Sequence, residues 1–110
     1  MAKFASFFTF KGETIARMMD KPSDRVGAVR KLTEALGGKL EAYYLMYGEH
    51  DGFAIVDVPD STTAAALSLA VSSTGAFAHI STHELIAPEG LNAVLEKAKK
   101  AREKYAPPGA

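Results

Sequence analysis

The stretch that most restricts this chain's fold runs from Tyr43 to Asp60, YYLMYGEHDGFAIVDVPD. Leu40 to Tyr47 and Phe53 to Val58 are both rich in aromatic and aliphatic residues. Between them sits Gly48-Glu49-His50-Asp51-Gly52. Glycine relieves the φ restriction, and Asp-Gly favours a hairpin turn, so the run predicts strand, tight turn, strand. Pro59-Asp60-Ser61 ends the second strand and supplies an Asp or Ser cap for a following helix. Two antiparallel strands joined at Gly48–Gly52 are therefore the frame on which the remaining elements must pack.

Upstream, Lys3 to Phe10 puts Phe4, Ser6, Phe8 and Phe10 on one face and Ala5, Phe7 and Thr9 on the other. Both faces are largely apolar, which predicts a strand covered on both sides. A helix follows from Lys11, with Ile15, Met18 and Met19 as its apolar stripe. Pro22 interrupts it, and Ser23 or Asp24 caps a second segment to about Leu36 carrying Val26, Val29, Leu32, Ala35 and Leu36. Gly37-Gly38 closes that segment. After the hairpin, an alanine-rich helix is predicted from about Ser61 to Ser73. A fourth strand, Phe77 to Ile86, has Phe77, His79, Ser81, His83 and Leu85 on one face. Ala78, Ile80, Thr82, Glu84 and Ile86 take the other. Pro88 suits the first turn of a last helix, about Glu89 to Tyr105, and Pro107-Pro108-Gly109 reads as a frayed tail.

The order strand, helix, strand, strand, helix, strand is the split β-α-β arrangement of ferredoxin-like α+β folds, here with an added C-terminal helix. Residues 1–87 read as the domain and 88–110 as its helical extension and tail. An antiparallel sheet with helices on one face leaves its other face bare. In the second strand, as in the first, both faces are apolar: Leu40, Ala42, Tyr44 and Met46 oppose Tyr43, Leu45 and Tyr47. The economical cover is a second copy of the chain, giving a homodimer with two sheets face to face. The C-terminal helix is then free to cover a further edge or to join dimers into larger homo-oligomers.

Composition narrows the functional classes. With 110 residues there is room for one modest core. Thirteen Lys and Arg cancel thirteen Asp and Glu, so no global field draws the chain to nucleic acid or to a membrane surface. The lysines of the last helix have no interleaved aromatic residues and read as a solvated face. There are no cysteines, which excludes disulfides, thiolate metal sites and thiol catalysis. No apolar run is long enough for a membrane span, and the N-terminal apolar block is too short for a signal peptide. A cytoplasmic location is the expectation.

Several short motifs, taken together, resemble the GYD-domain family. They are Gly48-Glu49-His50-Asp51, then Phe53-Ala54-Ile55-Val56 and Pro59-Asp60. Pro22, Arg25, Ala28, Arg30-Lys31 and Leu36-Gly37-Gly38-Lys39 precede them in compatible order, and the likeness covers roughly Lys3 to Leu85. The resemblance implies a ferredoxin-like, dimeric α/β-barrel fold in a small protein. It implies no particular activity. The chain departs from the family pattern in two places. His50 stands where the family turn has tyrosine, and Ala78 and Ile80 stand where a charged pair follows the last glycine.

Candidate chemistry centres on histidine. In Glu49-His50-Asp51, flanking carboxylates orient an imidazole that titrates near neutrality, so His50 with Asp51 suits general base work. The plainer reading is that Asp51 and Gly52 build the turn while Glu49 and His50 face water. His79 and His83 are about 13 Å apart along a strand, too far to chelate one ion together, and no metal site is expected. Either could join Tyr44 or His50 in a barrel cavity. Arg25, Arg30 and Lys31 suit an anion or simply water. No P-loop, dinucleotide fingerprint, nucleophile elbow or zinc motif is present, and any cofactor is left unknown.

Two functions follow. One is a homo-oligomeric module that binds a small apolar or aromatic ligand or serves assembly, with Tyr44, Glu49 and Arg30 as ligand contacts. The other is an isomerase or cofactor-free oxygenase with His50, His79 or His83 as general base, by analogy of fold.

Overall fold

The computed structural model describes residues 1–110. It is α+β: β1 (Ala2–Phe10), α1 (Gly12–Asp20), α2 (Arg25–Ala35), β2 (Lys39–Leu45), β3 (Gly52–Val58), α3 (Ser61–Ser72), β4 (Phe77–Glu84) and α4 (Leu91–Lys104). A 3-10 turn, Pro88–Gly90, leads into α4. The strands form one antiparallel sheet in the order β2-β3-β1-β4, consistent with a ferredoxin-like fold. The helical region from Lys11 to Leu36 is broken at Pro22 into two helices, as expected. Pro22 stops the first, and the Asp24 carboxylate accepts the Gly27 N–H at 2.9 Å to start the second. Asp60 caps α3 in the same way, accepting from the Thr63 N–H and hydroxyl.

β3 alternates along its whole length. Ala54, Val56 and Val58 are buried beneath the helices, while Phe53, Ile55 and Asp57 lie half-buried on the open face. Val58, with no exposed surface, anchors a small cluster with Phe4, Leu40, Ala54, Val56 and Ala64.

Four details of the sequence reading are corrected by the structure. β2 ends at Leu45 rather than Tyr47, so the connection runs from Met46 to Asp51 and places Gly48 at φ 120°. Extra residues in β2 and β4 reverse side-chain alternation. Leu40 pairs with Val56 but Ala42 pairs with Ile55, so Glu41 is the extra residue and Leu40 shares the helix side with Tyr43. Thr9 pairs with His79 but Phe10 pairs with Phe77, so Phe77 lies under the helices, opposite the face of His79, Ser81 and His83. On α1, Thr14 is buried and donates its hydroxyl to the Ala76 carbonyl at 2.7 Å. That tether turns Met19 outward, 75% exposed.

Burial is sparse: 13 of 110 residues, because α4 stands away from the sheet and no residue in it is buried. The radius of gyration, 17.5 Å, exceeds the roughly 13 Å of a compact chain this long. Leu91, Val94 and Leu95 of α4, and Tyr105 just past its end, are exposed. No helix is long and apolar enough to cross a membrane.

Candidate functional site

The sheet has two unlike faces. Beneath the helices, β1, β2, β3 and the bulged start of β4 present an aromatic floor. Phe8 is central to it: its ring lies 5.4 Å from Phe10, 5.7 Å from Tyr43 and 5.7 Å from Phe77, centroid to centroid. Phe10 and Phe77 stack at 5.1 Å. α1 and α2 lie to one side and α3 to the other, and between them is a cleft of about 650 Å³, open to solvent on one side. Val29 and Leu32 of α2 and Leu67 and Val71 of α3 form apolar walls. At one edge the Thr82 hydroxyl bridges Ser6 at 3.0 Å and Ser68 at 2.9 Å, tying β4, β1 and α3 together. At the other, the elbow between α1 and α2 brings Arg17, Lys21, Ser23 and Arg25 to the lining.

Tyr43 links floor and elbow. Burial raises its phenol pKa above the ordinary value of 10.0, and the Arg25 guanidinium beside it works in the opposite direction. The folded state thus keeps a proton that the unfolded chain releases above pH 10. Lys3, raised by its Glu41 and Asp57 partners, acts in the same sense. Stability carried by both groups is fully present below about pH 10 and is lost as pH rises through their folded pKa values. Ultraviolet titration is expected to show one of the four tyrosines ionising later than the rest. Arg25→Gln is expected to delay it further; an unchanged titration would remove the Arg25–Tyr43 coupling.

The residues singled out from the sequence lie elsewhere. The Asp51 carboxylate accepts the Phe10 N–H at 2.8 Å, its own N–H donates to the Phe8 carbonyl at 2.8 Å, and its carbonyl accepts from the Met46 N–H. Asp51 thereby fastens the hairpin turn to the end of β1, just where the β1–β4 pairing shifts. Glu49 is exposed. His50 is half-buried, with its ring 5.4 Å from Phe7 and a buried Nδ1 that has no hydrogen-bond partner. His83 lies 6.1 Å from the same Phe7 ring, and its Nε2 is 3.2 Å from the Ser81 hydroxyl. His79 is exposed opposite Thr9. Tyr44 stacks on Phe53 at 5.6 Å. Phe7 thus brings His50 and His83 to one patch of the open face, on the far side of the sheet from the cleft.

Of the three candidate anion ligands on α2, Arg25 lines the cleft, while Arg30 and Lys31 are exposed outside it. No group of three or more His, Asp or Glu side chains converges as a metal site would require. Sequence reasoning missed the cleft because it is made by separation of helices, which no local pattern records. The available hint was the short interruption at Pro22, which turns three cations of two helices toward one elbow.

Among curated proteins, no relative matches the chain. Against protein families, the GYD domain matches residues 4–95, from the start of β1 through β4 and into the first turns of α4. The chain belongs to the GYD-domain family.

Proposed function

We propose that this protein is a homo-oligomeric small-molecule-binding module whose ligand occupies the cleft between the sheet and helices α1 to α3. The observation that carries this reading is the cleft itself, about 650 Å³ lined mostly by apolar side chains. That volume lies within the roughly 300–1,000 Å³ of small-molecule sites. A sealed, empty cavity of this size would cost on the order of 15 kcal/mol at about 24 cal/mol per Å³, as much as a whole domain's stability. Its open side lets water in and reduces that cost, yet leaves Val29, Leu32, Tyr43 and Phe77 partly wet, which a ligand of apolar body relieves.

Ala28, on the exposed side of the α2 lining, provides the test. Wild-type protein is expected to bind the neutral fluorophore N-phenyl-1-naphthylamine with enhanced emission. Ala28→Trp, which puts an indole into the mouth, is expected to weaken that binding at least tenfold while leaving the melting temperature within a few degrees. Equal binding by both proteins would place the fluorophore elsewhere and overturn this reading.

The homo-oligomeric half of the proposal rests on the open face. Phe7, Phe53, Ile55 and Tyr44 lie there together, and two buried polar atoms, His50 Nδ1 and Asp57 Oδ1, have no partner. Four strands of seven to nine residues present on the order of 450 Å². Two such faces alone fall short of the roughly 1,200 Å² of a stable interface. An α4 arm laid from each copy onto the other adds about 200 Å² per copy, by the length and width of a 14-residue helix, and brings the total into range. A second copy of the chain is therefore the occupant we assign to both surfaces, and zero net charge sets up no repulsion between copies.

The enzymatic alternative, an isomerase or cofactor-free oxygenase with a histidine base, has one observation in its favour: the unpartnered Nδ1 of His50. It needs a substrate between the two sheets rather than in the cleft. The cleft lining holds no histidine, aspartate or glutamate, which favours binding over proton transfer there.

A further inference from the structure

Within the cleft, charge is distributed one-sidedly. Its lining includes three cations, Arg17, Lys21 and Arg25, and no carboxylate. This is so in a chain whose basic and acidic residues are equal in number. All three cations come from the α1–α2 elbow, Arg17 and Lys21 from the end of α1 and Arg25 from the first position of α2. Across from them the lining is Phe8, Phe10 and Phe77, with Tyr43 beside Arg25. An occupant that satisfies both ends must be apolar over most of its length and anionic at one end. Guanidinium groups pair with carboxylate and phosphate alike through two parallel hydrogen bonds; of the two, the carboxylate carries less charge and costs less to bring from water into a mostly apolar cleft.

Resting on the cleft reading above, we infer that the ligand is an aromatic or medium-chain carboxylate, its ring or chain on the Phe8–Phe10–Phe77 floor and its carboxylate at the Arg17–Lys21–Arg25 elbow. None of these cations has a carboxylate of the protein within ion-pair distance, so each keeps its charge available for a ligand. Mostly solvated side chains such as Arg17 and Lys21 carry a cost of immobilisation, so the gain is greatest for Arg25, which is already half-buried.

Three probes of one shape separate charge from fit: 2-naphthoate, 2-naphthalenemethanol and 2-naphthylmethylammonium, each titrated calorimetrically into the full chain at low and at physiological salt. The acid is expected to bind at least tenfold tighter than the alcohol, and the ammonium more weakly than the alcohol. The preference is expected to narrow as salt rises. Arg25→Gln is expected to remove most of the acid's advantage and Arg17→Gln a smaller part of it, both leaving the alcohol within about twofold, which also shows that the variants are folded. If acid and alcohol bind alike in wild type, the carboxylate inference fails and the cleft remains a binding site for neutral apolar molecules. If the ammonium binds best, the inference fails in sign. If none of the three binds, the cleft reading and this inference fall together.

Discussion

Phe7→Glu is expected to turn the protein into a folded monomer. Phe7 occupies the middle of the open face, paired with Phe53 on one side and Ser81 on the other, and its ring meets His50, Phe53 and His83. In a symmetric pair of sheets, one substitution puts two carboxylates into a surface that must lose its water. The penalty for each buried, unpaired ion is several kcal/mol, so the dissociation constant should rise by at least 10³-fold, about 4 kcal/mol. The fold itself should survive, because the helices pack on the other face and Phe7 already retains contact with solvent. Light scattering after size exclusion reads the mass, and circular dichroism reads the fold. Lys31→Glu, on the exposed side of α2, should leave the mass unchanged. A Phe7→Glu protein that stays oligomeric would move the interface off this face.

Gly52→Ala is expected to be the most destabilising glycine-to-alanine substitution in the chain. Gly52 lies directly across from Phe8 in the β1–β3 ladder. A Cβ there would sit 2.4 Å from Phe8 Cζ, 2.7 Å from its Cε1 and 2.8 Å from the Tyr44 carbonyl oxygen. The backbone oxygen belongs to the ladder, and the Phe8 ring is held by Phe10, Tyr43 and Phe77, so neither can yield cheaply. Overpacking of this kind costs about 3 kcal/mol, a fall of roughly 10–20 °C in melting temperature for a domain near this size. Gly12→Ala, where an added Cβ meets nothing within 4 Å, should be neutral or slightly stabilising in the first turn of α1. Phe8→Leu in the Gly52→Ala background should recover part of the loss, since the two sites share one space. Because Phe8 is the centre of the cleft floor, Gly52→Ala should also weaken binding of the neutral fluorophore.

Elements whose signals are local were legible in the sequence. Pro22 and Asp24 mark a stop and a start that need only neighbouring residues, and Asp60 caps α3 through a residue three positions on. Faces were legible only as far as the strict two-residue period holds. The extra residues at Glu41 and Ala78 break that period, and a bulge depends on a partner strand that a linear reading does not contain. Thr14 and Thr33 escaped notice for another reason. Each is buried by satisfying its hydroxyl on a backbone carbonyl, of Ala76 and Val29 respectively, so a polar residue occupies a position that an apolar stripe is expected to fill. As to the site, the acidic-histidine-acidic triplet attracts attention by composition, yet the Asp51 carboxylate is occupied in bracing the turn against Phe10. Arg17 and Lys21, by contrast, look like ordinary solvated helix residues until the elbow at Pro22 folds them toward Arg25.

The most direct test of a homo-oligomeric ligand-binding module is native mass spectrometry of freshly purified protein, followed by the same sample denatured. The expected result is an oligomer of the 11.7 kDa chain carrying a small excess mass that disappears on denaturation. The excess mass, being that of a small organic acid, would identify the occupant. A bare 11.7 kDa monomer at micromolar concentration would contradict both the paired open faces and the occupied cleft.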